Sequence, residues 1–240
     1  MNGAVRAAAH VEAAAYAGAT SLVRLRNAPP LVLRRTGPGS LHLVSAGAGP
    51  LGGDDLHLGV RVGPGARLHL TQVAASLALP GPGGLPSRIR YDVELGVHAA
   101  LRWDGQPTVA GAGCDHVSEL RVTAAPSAAL WWRDEVVCGR YGEASGTVRC
   151  RTTVVRGGRT VLRADTRVGD ALWASAAVGG GARVAGSLLL LGRASEAATL
   201  VTSDRAAVLR PAEGVAVVTA LGPGHPEVRA ALVAAAAGGG

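Results

Sequence analysis

The sequence predicts a mainly β fold whose strands gather into stacked sheets, with two α-helices in the C-terminal half. Three observations carry this. From about residue 20 to residue 170, apolar residues recur at every second position. The alternating runs are separated by clusters of Gly and Pro, and a short pattern returns at nearly constant spacing.

Taken in order, the opening segment "MNGAVRAAAHVEAAAYAG" is open between helix and strand, because Ala is common throughout this chain and says little about conformation. "DLHLGVRVG" sets Leu56, Leu58, Val60 and Val62 on one face and His57, Gly59 and Arg61 on the other. "ARLHLTQV" and "SELRVTA" alternate in the same way. Turn clusters lie between such runs, at "GPGA" 63–66, "PGPGGLP" 80–86 and "RGGR" 156–159. Strands joined by short reversals read as a β meander. The repeat adds layering: "GARLHL", "HAALRW" and "SAALWW" place Leu68, Leu101 and Leu130 at spacings of 33 and 29 residues, so that one strand of each unit stacks on the next. Beyond residue 170, "ARVAGSLLLLG" predicts a strand, and the apolar spacing of "SEAATLVTSDRAAVLR" predicts a helix over 195–210. "GVAVVTAL" predicts a last strand. Residues 225–237 predict a second helix, with Pro226 in its first turn, Glu227 complementing the dipole and three glycines ending it. The length of 240 residues suits one domain over 1–240.

Composition excludes several chemistries. All 24 basic residues are Arg. Without Lys there is no Walker A phosphate loop and no Schiff-base or pyridoxal-phosphate enzyme. The net charge of +7 invites a nucleic-acid reading, but the arginines are scattered and aromatic residues make up only 3%. A basic surface for an acidic protein partner fits better, and no nucleic acid is expected. Cys114, Cys138 and Cys150 form no C-x-x-C pair, which suits reduced cytoplasmic thiols. The opening Ala run is broken by Arg6, His10 and Glu12, unlike a signal peptide, and no membrane segment is expected.

"SAGAGPLGG" spells G-x-G-x-x-G at Gly47, Gly49 and Gly52. A dinucleotide loop must open a helix, whereas here strict strand alternation follows, so a Gly-rich reversal is the reading. His42, His57 and His69 each sit between two leucines, and adjacent strands that brought them onto one face would make a transition-metal trio and a metal-dependent hydrolase. The plainer alternative is three solvated side chains. Cys114 and His116 share a strand face without a second pair nearby. No G-x-S-x-G elbow occurs. The densest polar stretch is "WWRDEVVCGRYGEASG", which reads either as a strand and turn with surface ion pairs or as a site.

That stretch, with "TSLVRLRNAPPLVLRR", "LVSAGAGPLGGDDLHLGVRVGPGARLHLTQVAAS" and "LRWDGQPTVAGAGCDHVSELRV" before it, resembles the urease accessory protein UreD (UreH) family over roughly residues 18–222. The resemblance rests on Gly52, Gly53 and Asp54, on Thr71 with Gln72, on Gln106 with Pro107, and on Glu135, Gly139, Arg140, Gly142 and Glu143, in that order. It implies a β-helix-like stack with two helices and no catalytic activity. It implies apo-urease, UreF and the GTPase UreG as partners in nickel insertion, no tightly bound cofactor, and transient nickel in an interior passage. Asp54, Glu135 and Glu143 are then the first residues to test, with Cys114 and the histidines behind them; replacing Glu135 or Glu143 by Ala is expected to lower urease activation without unfolding. The chain departs from the family after Gln72, where "SLALPG" stands in place of a basic and an aromatic residue. The rival is a basic β-rich module that binds an acidic macromolecule unrelated to nickel.

Overall fold

The alternating segments form seventeen strands in the computed structural model, which describes residues 3–47, 49–192 and 206–237. The N-terminal Ala-rich segment resolves as strand β1 (Arg6–Tyr16), since Ala9, Val11 and Ala13 bury one face at period two. Hairpin partner β2 (Ala19–Arg26) runs antiparallel beside it, and β3 (Leu31–Gly37) with β4 (Ser40–Ser45) makes a second hairpin.

From β5 the chain coils instead of meandering. Strand β5 (Asp55–Val62) lies in the first sheet, the turn at 63–66 crosses over, and β6 (Arg67–Gln72) lies in the second. Short β7 (Ser76–Ala78) and a Gly/Pro corner return the chain to β8 (Ser87–Leu95), parallel to β5. The path repeats through β9 (Ala100–Asp104), β10 (Thr108–Ala110) and β11 (Asp115–Ala124), then through β12 (Ala129–Cys138) and β13 (Thr147–Arg156). A parallel neighbour needs a long crossover, and here each crossover is the remainder of the coil. Sequence neighbours therefore fall in opposite sheets, which corrects the meander.

The first sheet has the order β14-β13-β11-β8-β5-β1-β2, where β14 is Arg159–Val168. The second runs β16-β17-β15-β12-β9-β6-β4-β3, with β15 (Val184–Leu191), β16 (Ala206–Ala212) and β17 (Val215–Gly222) added antiparallel. The C-terminal half of β12 also pairs β10, and β10 pairs β7, giving the coil a short third side.

The sequence repeat is the register. Leu68 pairs with Leu101 and Leu101 with Leu130, all three buried. One step inward, Leu70, Trp103 and Trp132 stack; the two indoles lie 4.6 Å apart at 9°, with Tyr91 edge-on to both. Opposite them runs the ladder Val11, Val60, Val93, Val122 and Val154. Each fully buried aliphatic side chain here contributes about 1.5–3 kcal/mol.

The second expected helix forms at His225–Ala237 and packs Val228 and Leu232 on the outer face of the second sheet, against Leu188, Leu190 and Val218. The first is corrected in part: residues 206–210, expected to end a helix, belong to strand β16, hydrogen-bonded to β17. Residues 195–205 of that expectation lie outside the described residues. Between the two sheets, Asp134, Cys150, Trp173 and Leu189 among others line a partly open cavity of about 490 Å³.

Candidate functional site

The stack that aligns the core also aligns polar residues on its outer side. Thr71, Asp104 and Arg133 are register partners on β6, β9 and β12. Asp104 accepts from His69 Nε2 at 2.8 Å and from Arg102 Nε at 2.7 Å, and its Oδ1 lies 3.4 Å from Arg133. Burial pushes this carboxyl up, but the bonds from Arg102 and His69 prevail and hold it below the usual range. Thr71 Oγ1 lies 3.2 Å from the same His69 nitrogen.

Two residues along β12, Glu135 points outward into the base of the C-terminal helix. Its side chain has no exposed surface. Oε2 meets His225 Nε2 at 2.5 Å and Arg229 Nη2 at 3.0 Å, while Arg133 Nε stands 3.7 Å from Oε1. His225 and Arg229 are one helical turn apart, so both reach the same carboxylate. Arg229 also donates to Gln106 Oε1 at 3.1 Å. The Gln106 backbone N–H donates to Gln72 Oε1 at 3.4 Å, and Gln72 Nε2 donates to Ser76 Oγ at 3.0 Å. Pro107 closes the group by accepting from the Ser76 N–H. Thr71, Gln72, Gln106, Pro107 and Glu135, dispersed over 65 positions, thus share one network where the strands of the second sheet end.

The other motif residues occupy the adjoining corner of the coil. Gly52, Gly53 and Asp54 form its first turn: Asp54 Oδ1 accepts from Val5 N at 2.8 Å and Oδ2 from Leu51 N at 2.9 Å. Gly52 packs so closely on Gly81 of the next turn that a Cβ would enter its backbone, and Gly53 has φ 94°, which glycine adopts without strain. At the far end of that corner, Glu143 accepts from Arg140 Nε at 2.8 Å, Nη2 at 2.7 Å and N at 3.1 Å, which brings its carboxyl down to about 2. Turns from residues 79–81 and 111–114 stack between these two through Gly52 N to Leu79 O, Gly111 N to Ala78 O and Gly139 N to Ala110 O.

The three histidines do not converge. His57 is on the outer side of the first sheet, 2.7 Å from Asp92, whereas His42 and His69 are on the second. The two outer faces are separated by the whole core, which removes the trio and the hydrolase built on it. Among the described residues, no three His, Cys, Asp or Glu side chains gather as a metal site. Cys114 is buried, with burial raising its thiol to about 11, and buried His116 is depressed to about 4 while bonded to Ser87 Oγ at 2.8 Å. The notable omissions from the sequence reading are Asp104, Arg133, His225 and Arg229. The i, i+4 pair on a predicted helix was the available signal for the last two.

Fold and network together define a three-sided β-solenoid whose family-pattern residues line one edge, capped by a helix. The UreD urease accessory protein family model matches residues 5–238. The urease accessory protein UreD of Streptomyces coelicolor is 38% identical over 96% of this chain and 95% of its own length. That of Frankia casuarinae is 35% identical, over 92% and 82% respectively. The chain belongs to the UreD urease accessory protein family.

Proposed function

We propose that this chain is a non-catalytic scaffold of urease maturation, acting in the cytoplasm, which binds apo-urease and recruits UreF and the GTPase UreG for nickel insertion. The observation that carries this reading is the family match across residues 5–238, joined by relatives named as urease accessory proteins over more than four-fifths of their length. Composition supports the division of labour, since a chain without Lys leaves nucleotide hydrolysis to a partner. No helix among the described residues is long and apolar enough to cross a membrane.

Nickel is cargo on this reading, and carboxylate, imidazole and thiolate are its donors. Asp54, Glu135 and Glu143 are already satisfied by backbone N–H groups, by His225 and Arg229, and by Arg140. A passing cation has to displace those donors, which favours transient contact over storage. Glu143 is the cleaner probe, because its partners lie in one exposed turn, whereas Glu135 supports the helix.

Co-expression with the urease structural subunits, UreF and UreG in nickel-containing medium tests the proposal. Urease activity that requires this chain, together with a complex containing it, supports the scaffold. Full activation without it and no complex returns the reading to a basic module for another acidic partner.

A further inference from the structure

Strand alternation puts a polar row where the core would otherwise be aliphatic. Asp134 on β12, Ser187 on β15 and Thr219 on β17 are successive register partners. Each points between the sheets, in line with Trp132, Leu189 and Val217 two residues along its own strand. Opposite them, Cys150 and Thr166 are paired on β13 and β14, with Thr152 two residues beyond Cys150. All six line the cavity of about 490 Å³, whose remaining wall is mostly apolar. The hydroxyls of Thr152, Thr166, Ser187 and Thr219 have no hydrogen-bond partner among the described residues. Asp134 accepts from Trp132 Nε1 at 2.6 Å, but the adjacent Arg133 turns outward to Asp104 and Glu135. Among the described residues, no basic side chain lies within 4.0 Å of the Asp134 carboxyl. Exposed Thr166 and Leu209, on the edge strands β14 and β16, mark the open side of the cavity.

Apolar walls with a few convergent polar groups, in a space of this size, are the build of a small-molecule site. A carboxylate turned toward low-dielectric space without a counter-charge favours a cation, and unpaired hydroxyls favour a ligand that can hydrogen-bond. We propose that the cavity binds a small organic amine, its ammonium group on Asp134 and Ser187 and its apolar body against Leu162, Leu189 and Val217. Burial raises the Asp134 carboxyl to about 6, so most of it is ionised at pH 7 and able to pair. A purely aliphatic ligand would leave the hydroxyls unpaired, and an anionic one would set like charges together at Asp134. Arg210, the one basic residue in the described lining, is exposed, so the ligand's charge belongs at the inner end. The site goes beyond the scaffold reading and does not depend on it, because Asp134 faces the interior while Glu135 faces the helix.

The test uses probes that share one body and differ in head group: tryptamine, tryptophol and indolepropionate, with nickel(II) as a competitor. Their affinities for the full-length chain are measured by ligand-observed NMR, and melting temperature checks the fold of each variant. Asp134→Asn removes the charge; Ala164→Phe, at an exposed lining position on β14, narrows the cavity; Asp92→Asn, on the outer side of the first sheet, is the control. In the wild type, tryptamine is expected to bind about tenfold or more tighter than the other two probes. Asp134→Asn should abolish that preference while leaving tryptophol within about twofold, since only a charge-assisted bond is lost. Ala164→Phe should weaken tryptamine and tryptophol alike, and Asp92→Asn should change neither. Equal binding of the three probes, a preference that survives Asp134→Asn, or no binding of tryptamine would overturn the proposal. So would tryptamine binding untouched by Ala164→Phe; if that variant melts early, Asp134→Asn decides. Displacement of tryptamine by tighter-binding nickel(II), lost in Asp134→Asn, would replace the amine with a metal ion.

Discussion

Two ion-pair sites, one on each outer face of the solenoid, handle charge in opposite ways. On the first sheet, ion pairs such as Arg61 with Glu94 lie open to water, each side chain more than half exposed. On the second, the helix closes over Glu135 and encloses it with Arg229, His225 and Arg133. The exposed pairs each contribute about 0–1 kcal/mol and weaken with salt. Breaking an enclosed pair leaves a charge without water or partner, which costs about 3–5 kcal/mol. The same residue types thus make a salt-sensitive pair at Arg61 and Glu94 and a structural clamp at Glu135.

The sharpest way to break this contrast is Glu135→Ala, expected to destabilise the chain by about 3–5 kcal/mol and to loosen the helix, read by urea denaturation and by amide exchange over 225–237. This revises the expectation that the substitution leaves folding untouched, since the carboxylate is buried and not displayed. An unchanged denaturation midpoint would mean that the clamp carries no weight.

Buried His116 tests the interior. Its native pKa of about 4 lies below the unfolded value near 6.5, so the unfolded chain takes up the proton first as pH falls. Stability is intact above about pH 6.5 and declines toward pH 4, by about 3 kcal/mol from this group. Asp134, on the cavity wall, has the opposite sign. Burial raises it to about 6 against the bond from Trp132, so the native state binds the proton first, and stability is gained between pH 6 and 3.8. Asp134→Asn should therefore stabilise the chain at pH 7 by about 2 kcal/mol, discounted for water in the cavity, and steepen its decline in melting temperature from pH 7 to pH 5. A parallel pair of pH profiles would contradict the assignment. The smallest effect belongs to the open face: Arg61→Ala or Glu94→Ala should shift stability by less than about 1 kcal/mol, vanishing in high salt.

Much of this architecture could be read from period and punctuation. Alternation located the strands, the repeat of Leu68, Leu101 and Leu130 gave the stacking register, and Pro226 and Glu227 marked the last helix. The reading failed where Ala and Val supply no contrast: "AAVLR" at 206–210 fits helical spacing, yet β17 offers it a hydrogen-bonding edge. Parallel pairing escaped because local turns look alike whether the chain reverses or coils. The family-pattern residues were identifiable as a set, but their convergence was not, since Gln72 and Gln106 meet only through register and Glu135 is buried by a helix 90 positions later. Charge at Glu135 looked like surface charge because nothing nearby in sequence covers it.

That separation has a consequence for how the protein is made. At about 5–20 residues per second, the ribosome releases Glu135 roughly 5–18 seconds before His225 and Arg229. During that interval the carboxylate keeps its water, and the apolar outer side of β15 and β17 stays open once those strands form. A product that stops before this helix leaves Leu188, Leu190 and Val218 without the cover of Val228 and Leu232, and its Glu135 without His225 and Arg229.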